Sequence, residues 1–170
     1  MCLILISLWV VSMIIKGTSC YENAKSGNLV SITGDGGNAW GFYGNAYKKM
    51  SPRLYLWQYY DQNPDNLTED KLIDWYIKEF YDLRLKDLNP IELMDTLKQK
   101  FGEEIILLCH ELPGLNINKE HFCHRRLLAD WLELETGIII PELSISESGI
   151  ITTEEIYDLK PKIKNLIKKY

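Results

Sequence analysis

Six side chains able to attack, ligate, donate or accept fall in two short segments: Cys109, His110 and Glu111 in the first, Cys123, His124 and Arg125 in the second. A thiol that has lost its proton is a nucleophile and a metal ligand, and imidazole exchanges protons near neutral pH. Guanidinium forks onto phosphate or carboxylate. The second segment stands directly before the spaced apolar residues Leu127, Leu128, Trp131, Leu132 and Leu134, so it opens a helix. A helix N-terminus carries about half a positive charge and free N–H groups, which favour an anion and lower the pKa of a thiol placed there. Cys123 is therefore the candidate nucleophile and His124 the candidate acid or base. Glu111 is the candidate orienting carboxylate, Arg125 the anion contact, and Cys109 a second thiol at the same edge.

Plainer readings stand beside these. Cys109 closes an apolar run, and such cysteines are commonly small buried hydrophobes. Glu111 could simply pair with a nearby base, and His110 and His121 are loop residues. A metal centre is a further possibility, with Cys109, Cys123 and His124 or His110 as the nitrogen and sulfur donors zinc favours, although no Cys-x-x-Cys is present. A thiol and an arginine at a helix start also resemble a phosphatase cradle chemically. The glycine-rich loop that would separate them is missing.

The elements that must position these groups follow from spacing. Ile105 to Cys109 is an unbroken apolar run too short for a helix, as in a central parallel strand. Ile14-Ile15, ending in a polar loop at Gly17-Thr18-Ser19, predicts a first strand, Leu29 to Ile32 a second, and Ile138 to Ile140 a last one. Leu72, Ile73, Tyr76, Ile77 and Phe80 recur at three and four, predicting a helix from about 66 or 68 to 83. Asn89-Pro90-Ile91-Glu92 caps another that runs to Lys100 and closes at Gly102. Gly137 ends the helix that Cys123 begins, and Thr152 with Glu155 is placed to start a short helix in the tail. Strand, helix, strand in this order predicts a single small α/β domain with a Rossmann-like layered parallel sheet, over residues 14–143, followed by a helical tail over 144–170. In such sheets ligands bind beyond the carboxyl ends of the strands, where both cysteine segments fall.

Two other stretches bear on a ligand. Gly34-Asp35-Gly36-Gly37-Asn38 is loop, either a plain turn or one whose amides at Gly36 and Gly37 cradle a phosphate. Phe42, Tyr43, Tyr47, Tyr55, Trp57, Tyr59 and Tyr60 could stack a base or serve as packing. The formal charge of −5 argues against a nucleic-acid coat, since duplex binding draws on Lys and Arg at phosphates. Lys160, Lys162, Lys164, Lys168 and Lys169 are the exception, and a solvated helix face accounts for them. Four cysteines in 170 residues lack the density of a secreted scaffold and read as reduced thiols of a cytoplasmic protein. The apolar run Leu3 to Ile15 falls short of the roughly 20 residues that cross a bilayer. It has no basic residue before it to mark a signal peptide. An extension from an upstream start, a first strand, or export all stay open for residues 1–13.

Taken together, Ile106-Leu107-Leu108-Cys109-His110-Glu111 and Phe122-Cys123-His124-Arg125-Arg126-Leu127-Leu128-Ala129-Asp130-Trp131-Leu132 resemble the signature of the domain of unknown function 488 family. That family reads leucine-leucine-cysteine-x-glutamate, then cysteine-histidine-arginine, then a helix ending near tryptophan-leucine. Lys49-Met50-Ser51-Pro52, Tyr76 to Leu88 and Thr18-Ser19-Cys20-Tyr21 are similar to its upstream elements, so the resemblance covers roughly Ile14 to Leu143. It implies a compact α/β fold with both cysteines, the acid, the histidine and the arginine in one site, and Ser19 and Tyr21 beside the ligand. The loop from Leu112 to His121 is longer than the family's link, and the first twelve residues have no counterpart. The function expected is binding, with processing, of a small phosphate-bearing or nucleotide-like ligand. The alternatives are a non-catalytic sequestering or interaction protein and a zinc-site protein.

Overall fold

A computed structural model describes residues 13–39 and 41–168. Six strands form one mostly parallel sheet: β1 (Ile15–Cys20), β2 (Asn28–Ser31), β5 (Asn45–Ala46), β6 (Ile105–Cys109), β7 (Glu142–Ile145) and β8 (Ile151–Glu154), in the order β5-β2-β6-β1-β7-β8. Only β8 runs antiparallel, against β7. Two short strands, β3 (Asn38–Ala39) and β4 (Phe42–Tyr43), pair separately. The helices are α1 (Leu54–Gln62), α2 (Glu69–Phe80), α3 (Pro90–Phe101), α4 (His124–Thr136) and α5 (Lys160–Ile167). The chain is thus a single α/β domain with a Rossmann-like layered sheet, as the sequence predicts.

Strand β6 is buried along its whole length between β1 and β2, which is why it reads as continuous hydrophobe. Its side chains alternate. Ile105 and Leu107 join the larger core with residues of all five helices, whereas Ile106 and Leu108 face a smaller cluster with Tyr21, Ala24, Leu143 and Ile145. The helix signals hold locally: the Asn89 side chain accepts from the N–H groups of Ile91 and Glu92, and Gly137 ends α4 at φ +75°.

Three expectations differ from the structure. Gly17-Thr18-Ser19 is not a loop but the middle of β1, because Thr18 and Ser19 are satisfied from the neighbouring strand: Thr18 donates to Glu142, and Ser19 donates to the Leu143 carbonyl at 2.6 Å. Gly17 permits this approach, since a Cβ there would sit 2.7 Å from the Pro141 carbonyl oxygen. The last parallel strand is Glu142–Ile145 rather than Ile138 to Ile140. That apolar run only leads into the sheet, with Ile139 76% exposed and sheet hydrogen bonding beginning where the Thr18 N–H meets the Pro141 carbonyl. Thr152 lies in strand β8, not at a helix start, and the tail helix begins later, at Lys160. Tyr157, Leu159 and Ile163 sit in the main core, so the segment after 143 is part of the same body.

Of the apolar N-terminal run, only Met13 to Ile15 is described, and the carbonyls of Met13 and Ile14 accept from Glu104 and Ile105. The remainder lies outside the described residues. Among the described residues no helix is long and apolar enough to cross a membrane.

Candidate functional site

Cys109 ends β6, and Cys123 is the residue before the first turn of α4, so the carboxyl edge of the sheet brings the two thiols together. Imidazole closes the triangle. His124 Nδ1 lies 3.5 Å from the Cys109 sulfur and 3.9 Å from that of Cys123, and the three ligand atoms are all within 4.8 Å of one another. Glu111 joins them by accepting from the Cys109 thiol at 3.2 Å. Cys109 and Cys123 are each 2% exposed and His124 5%, while Glu111 is half-buried at the rim.

The histidine's proton is fixed by geometry. Its Nε2 lies 2.9 Å from the Ile32 carbonyl oxygen, which can only accept, so Nε2 carries the hydrogen. In neutral imidazole the Nδ1 lone pair then faces both sulfurs. Tyr157 anchors the helix start, its hydroxyl accepting from the Cys123 N–H at 2.8 Å and donating to the His121 carbonyl at 2.9 Å.

The electrostatics are asymmetric. Burial pushes the Cys109 thiol up, and the adjacent Cys123 adds to the rise, so Cys109 stays protonated. Burial acts on Cys123 in the same direction, but a hydrogen bond from Cys109 and the charges of Arg125 and His124 outweigh it and hold the thiol well below its usual value. Burial works to lower His124, and the neighbouring Cys123 reverses the sign and raises it. Burial, then the charge of Cys123, lifts the Glu111 carboxyl to about 7.

Arg125 is not where the sequence puts it. Its guanidinium is fully buried and forks onto Glu142, Nη2 at 2.8 Å and Nε at 3.1 Å from one oxygen, instead of opening to a ligand. A buried arginine must find its counter-charge inside the fold, and Glu142 at the start of β7 supplies it. The remaining nitrogen, Nη1, has no partner.

The other candidate contacts are also engaged internally. Ser19 is spent on Leu143, and the Tyr21 hydroxyl is shared with Ser31 at 2.6 Å and Thr33 at 3.0 Å. Gly36 and Gly37 shape a turn rather than a phosphate cradle. The Gly36 N–H bonds to the Thr33 carbonyl, the Gly37 carbonyl accepts from Gly44, and Asp35 beside them carries a negative charge to His110 at 3.0 Å. Of the aromatic stretch, Tyr47 and Tyr60 are core, Tyr59 stacks on Trp75 with ring centroids 3.9 Å apart, and Tyr43, Tyr55 and Trp57 face solvent. Among the tail lysines, Lys160 pairs with Glu133 and Asp158, and Lys162 with Asp70 and Asp74.

Sequence reasoning misses Tyr157, Glu142 and the Ile32 carbonyl, and names Tyr60 only as one of the aromatics for stacking or packing. The Tyr60 hydroxyl is buried without a partner, and burial, then the charges of Glu69, Glu111 and Cys123, push its pKa up. Nothing local marks any of them, because each comes from a distant element. Comparison of the chain with protein-family models, with curated proteins and with solved structures gave no match.

Proposed function

We propose that the chain binds a small phosphate-bearing or nucleotide-like ligand at the carboxyl edge of β6 and processes it through Cys123 as nucleophile. His124 exchanges the proton and Glu111 orients the reacting groups. The observation that carries this reading is a pair of buried donors left unspent within reach of the Cys123 charge. Arg125 Nη1 and the Tyr60 hydroxyl are both buried without partners, and both couple to the charge of Cys123. Leaving a buried donor unpaired costs about 1–3 kcal/mol, more when it is charged, and although Arg126 Nε and Trp131 Nε1 are also unpaired, these two feel the nucleophile's charge and speak for a guest rich in acceptors. Arg125 acts in this reading through Nη1 alone.

Assignment to the domain of unknown function 488 family is part of the same proposal and rests on the two cysteine segments. It supplies no reaction. A cytoplasmic setting accords with Cys20, Cys109 and Cys123 being free thiols.

Thermal denaturation with inorganic phosphate and a panel of nucleoside phosphates tests the reading, paired with product analysis. A ligand at 100 times its Kd stabilises by about 2.7 kcal/mol. The expected result is stabilisation of both the natural chain and Cys123→Ser, with conversion only in the former. Binding by both without conversion supports sequestration instead, and no stabilisation by any member overturns the proposal.

A further inference from the structure

Three of the four groups at the carboxyl edge share a property that ligand processing does not require: their donor atoms gather within 4.8 Å of one another. We infer that Cys109, Cys123 and His124 form a binding site for a zinc ion, with the Glu111 carboxylate at the fourth corner.

The geometry carries this. Zinc sits about 2.3 Å from sulfur and 2.0–2.1 Å from imidazole nitrogen in a tetrahedron, which places neighbouring donor atoms about 3.6–3.8 Å apart. The two sulfur-to-Nδ1 edges are 3.5 and 3.9 Å, and all three donor atoms fall within 4.8 Å of one another. Glu111 Oε2, 3.2 Å from the Cys109 sulfur, stands at the edge of this triangle and is the nearest carboxylate to close the fourth position.

The supporting shell is equally suited. A metal-ligating histidine ordinarily donates its other ring N–H to a carbonyl or carboxylate, which fixes the tautomer and turns the free nitrogen toward the ion. His124 does this through Ile32 at 2.9 Å. The Cys123 backbone is pinned by Tyr157, and Arg125, although paired with Glu142, acts electrostatically on both sulfurs in the direction that favours thiolates. The spacing Cys-x-Glu, then Cys-His, departs from the paired-cysteine zinc motifs, because the two halves meet only through the β6–α4 connection.

Binding replaces zinc–water bonds with two zinc–sulfur bonds, one zinc–nitrogen bond and one zinc–oxygen bond, and releases to solvent the water and whatever protons the two thiols, His124 Nδ1 and Glu111 still carry, with no oxidant or reductant involved. The donor set, soft sulfur with imidazole, selects zinc over magnesium or calcium. Zinc occupies the Cys123 lone pair that nucleophilic attack needs, so the metal-loaded chain is the unreactive one. The zinc site itself stands apart from the ligand reading. Zinc capture without turnover leaves it intact, and turnover without zinc capture overturns it while sparing the ligand reading.

The test is titration of the reduced, chelator-treated chain with zinc, and with cobalt(II) as spectroscopic probe. The expected result is one ion per chain, a sulfur-to-cobalt charge-transfer band, and affinity weakened by more than about 100-fold in Cys109→Ser and Cys123→Ser but unchanged in Cys20→Ser. Should either serine variant fail to fold, alkylation mapping of the natural chain decides. One equivalent of zinc protects Cys109 and Cys123 and leaves the rate at Cys20 unchanged. Substoichiometric binding, a cobalt spectrum without the thiolate band, or equal protection of Cys20 overturns the inference.

Discussion

Two buried polar clusters share the first two turns of α4, and they are wired in opposite ways. In one, Arg125 forks onto Glu142, while Arg126 reaches Thr18 Oγ1 at 2.9 Å, the Ile140 carbonyl at 2.7 Å and Asp130 at 2.7 Å. Asp130 in turn accepts from the Leu159 N–H at 2.7 Å. These bonds tie α4 to β1, to β7 and to the segment leading into α5. In the other cluster Cys109, Cys123, His124 and Glu111 turn mainly toward one another, with Ile32 as the one backbone anchor of their side-chain atoms. The first arrangement holds elements together. The second holds atoms close together, which is the construction of a site, so burial and charge alone do not separate scaffold from function.

The scaffold cluster should prove the less expendable of the two. Glu142→Leu leaves Arg125 buried and uncompensated, and is expected to cost about 3–5 kcal/mol in urea denaturation, or roughly 10 °C in Tm. Cys123→Ser in the metal-free chain is expected to cost well under half of that. The reverse ordering would mean that the thiol cluster is the structural one.

Glu111 ties the thiol cluster to pH. Its folded pKa of about 7 lies above its ordinary value of 4.5, so the folded state favours the protonated form. Its contribution is therefore complete below pH 4.5 and lost as pH rises through 7. In chelated protein the natural chain should lose up to about 3 kcal/mol relative to Glu111→Gln between pH 4.5 and 8, read from paired denaturation curves. Parallel curves would show that the carboxyl does not belong to the buried cluster.

A smaller effect is expected at Tyr157, which belongs to neither cluster but positions the second. Tyr157→Phe leaves the Cys123 N–H without its acceptor, at a cost of about 1–3 kcal/mol, and is expected to weaken zinc binding by about 10-fold or more without abolishing it.

The legible parts of this molecule are those whose signal is local. The apolar run of β6, the period of α2, the Asn89 cap and the Gly137 terminator announce themselves because each is settled by residues within a few positions. The meeting of Cys109 with Cys123 and His124 was also within reach, since strand ends and helix starts share one edge of an α/β sheet. What escaped was settled by distant partners. Thr18 and Ser19 look like loop residues until Glu142 and the Leu143 carbonyl satisfy them inside β1. Arg125 looks like an anion contact until Glu142 claims it, and the run Ile138 to Ile140 resembles a strand although pairing begins only after Pro141. Polar side chains buried by tertiary pairing leave no periodic trace.

The most direct measurement is the alkylation rate of Cys20, Cys109 and Cys123 by a small neutral electrophile at pH 7, followed by peptide mapping in chelator and again with one equivalent of zinc. The account predicts that Cys123 reacts first in chelator and that zinc shields it together with Cys109. Cys20 reacting as fast as Cys123, with zinc making no difference to either, would contradict it.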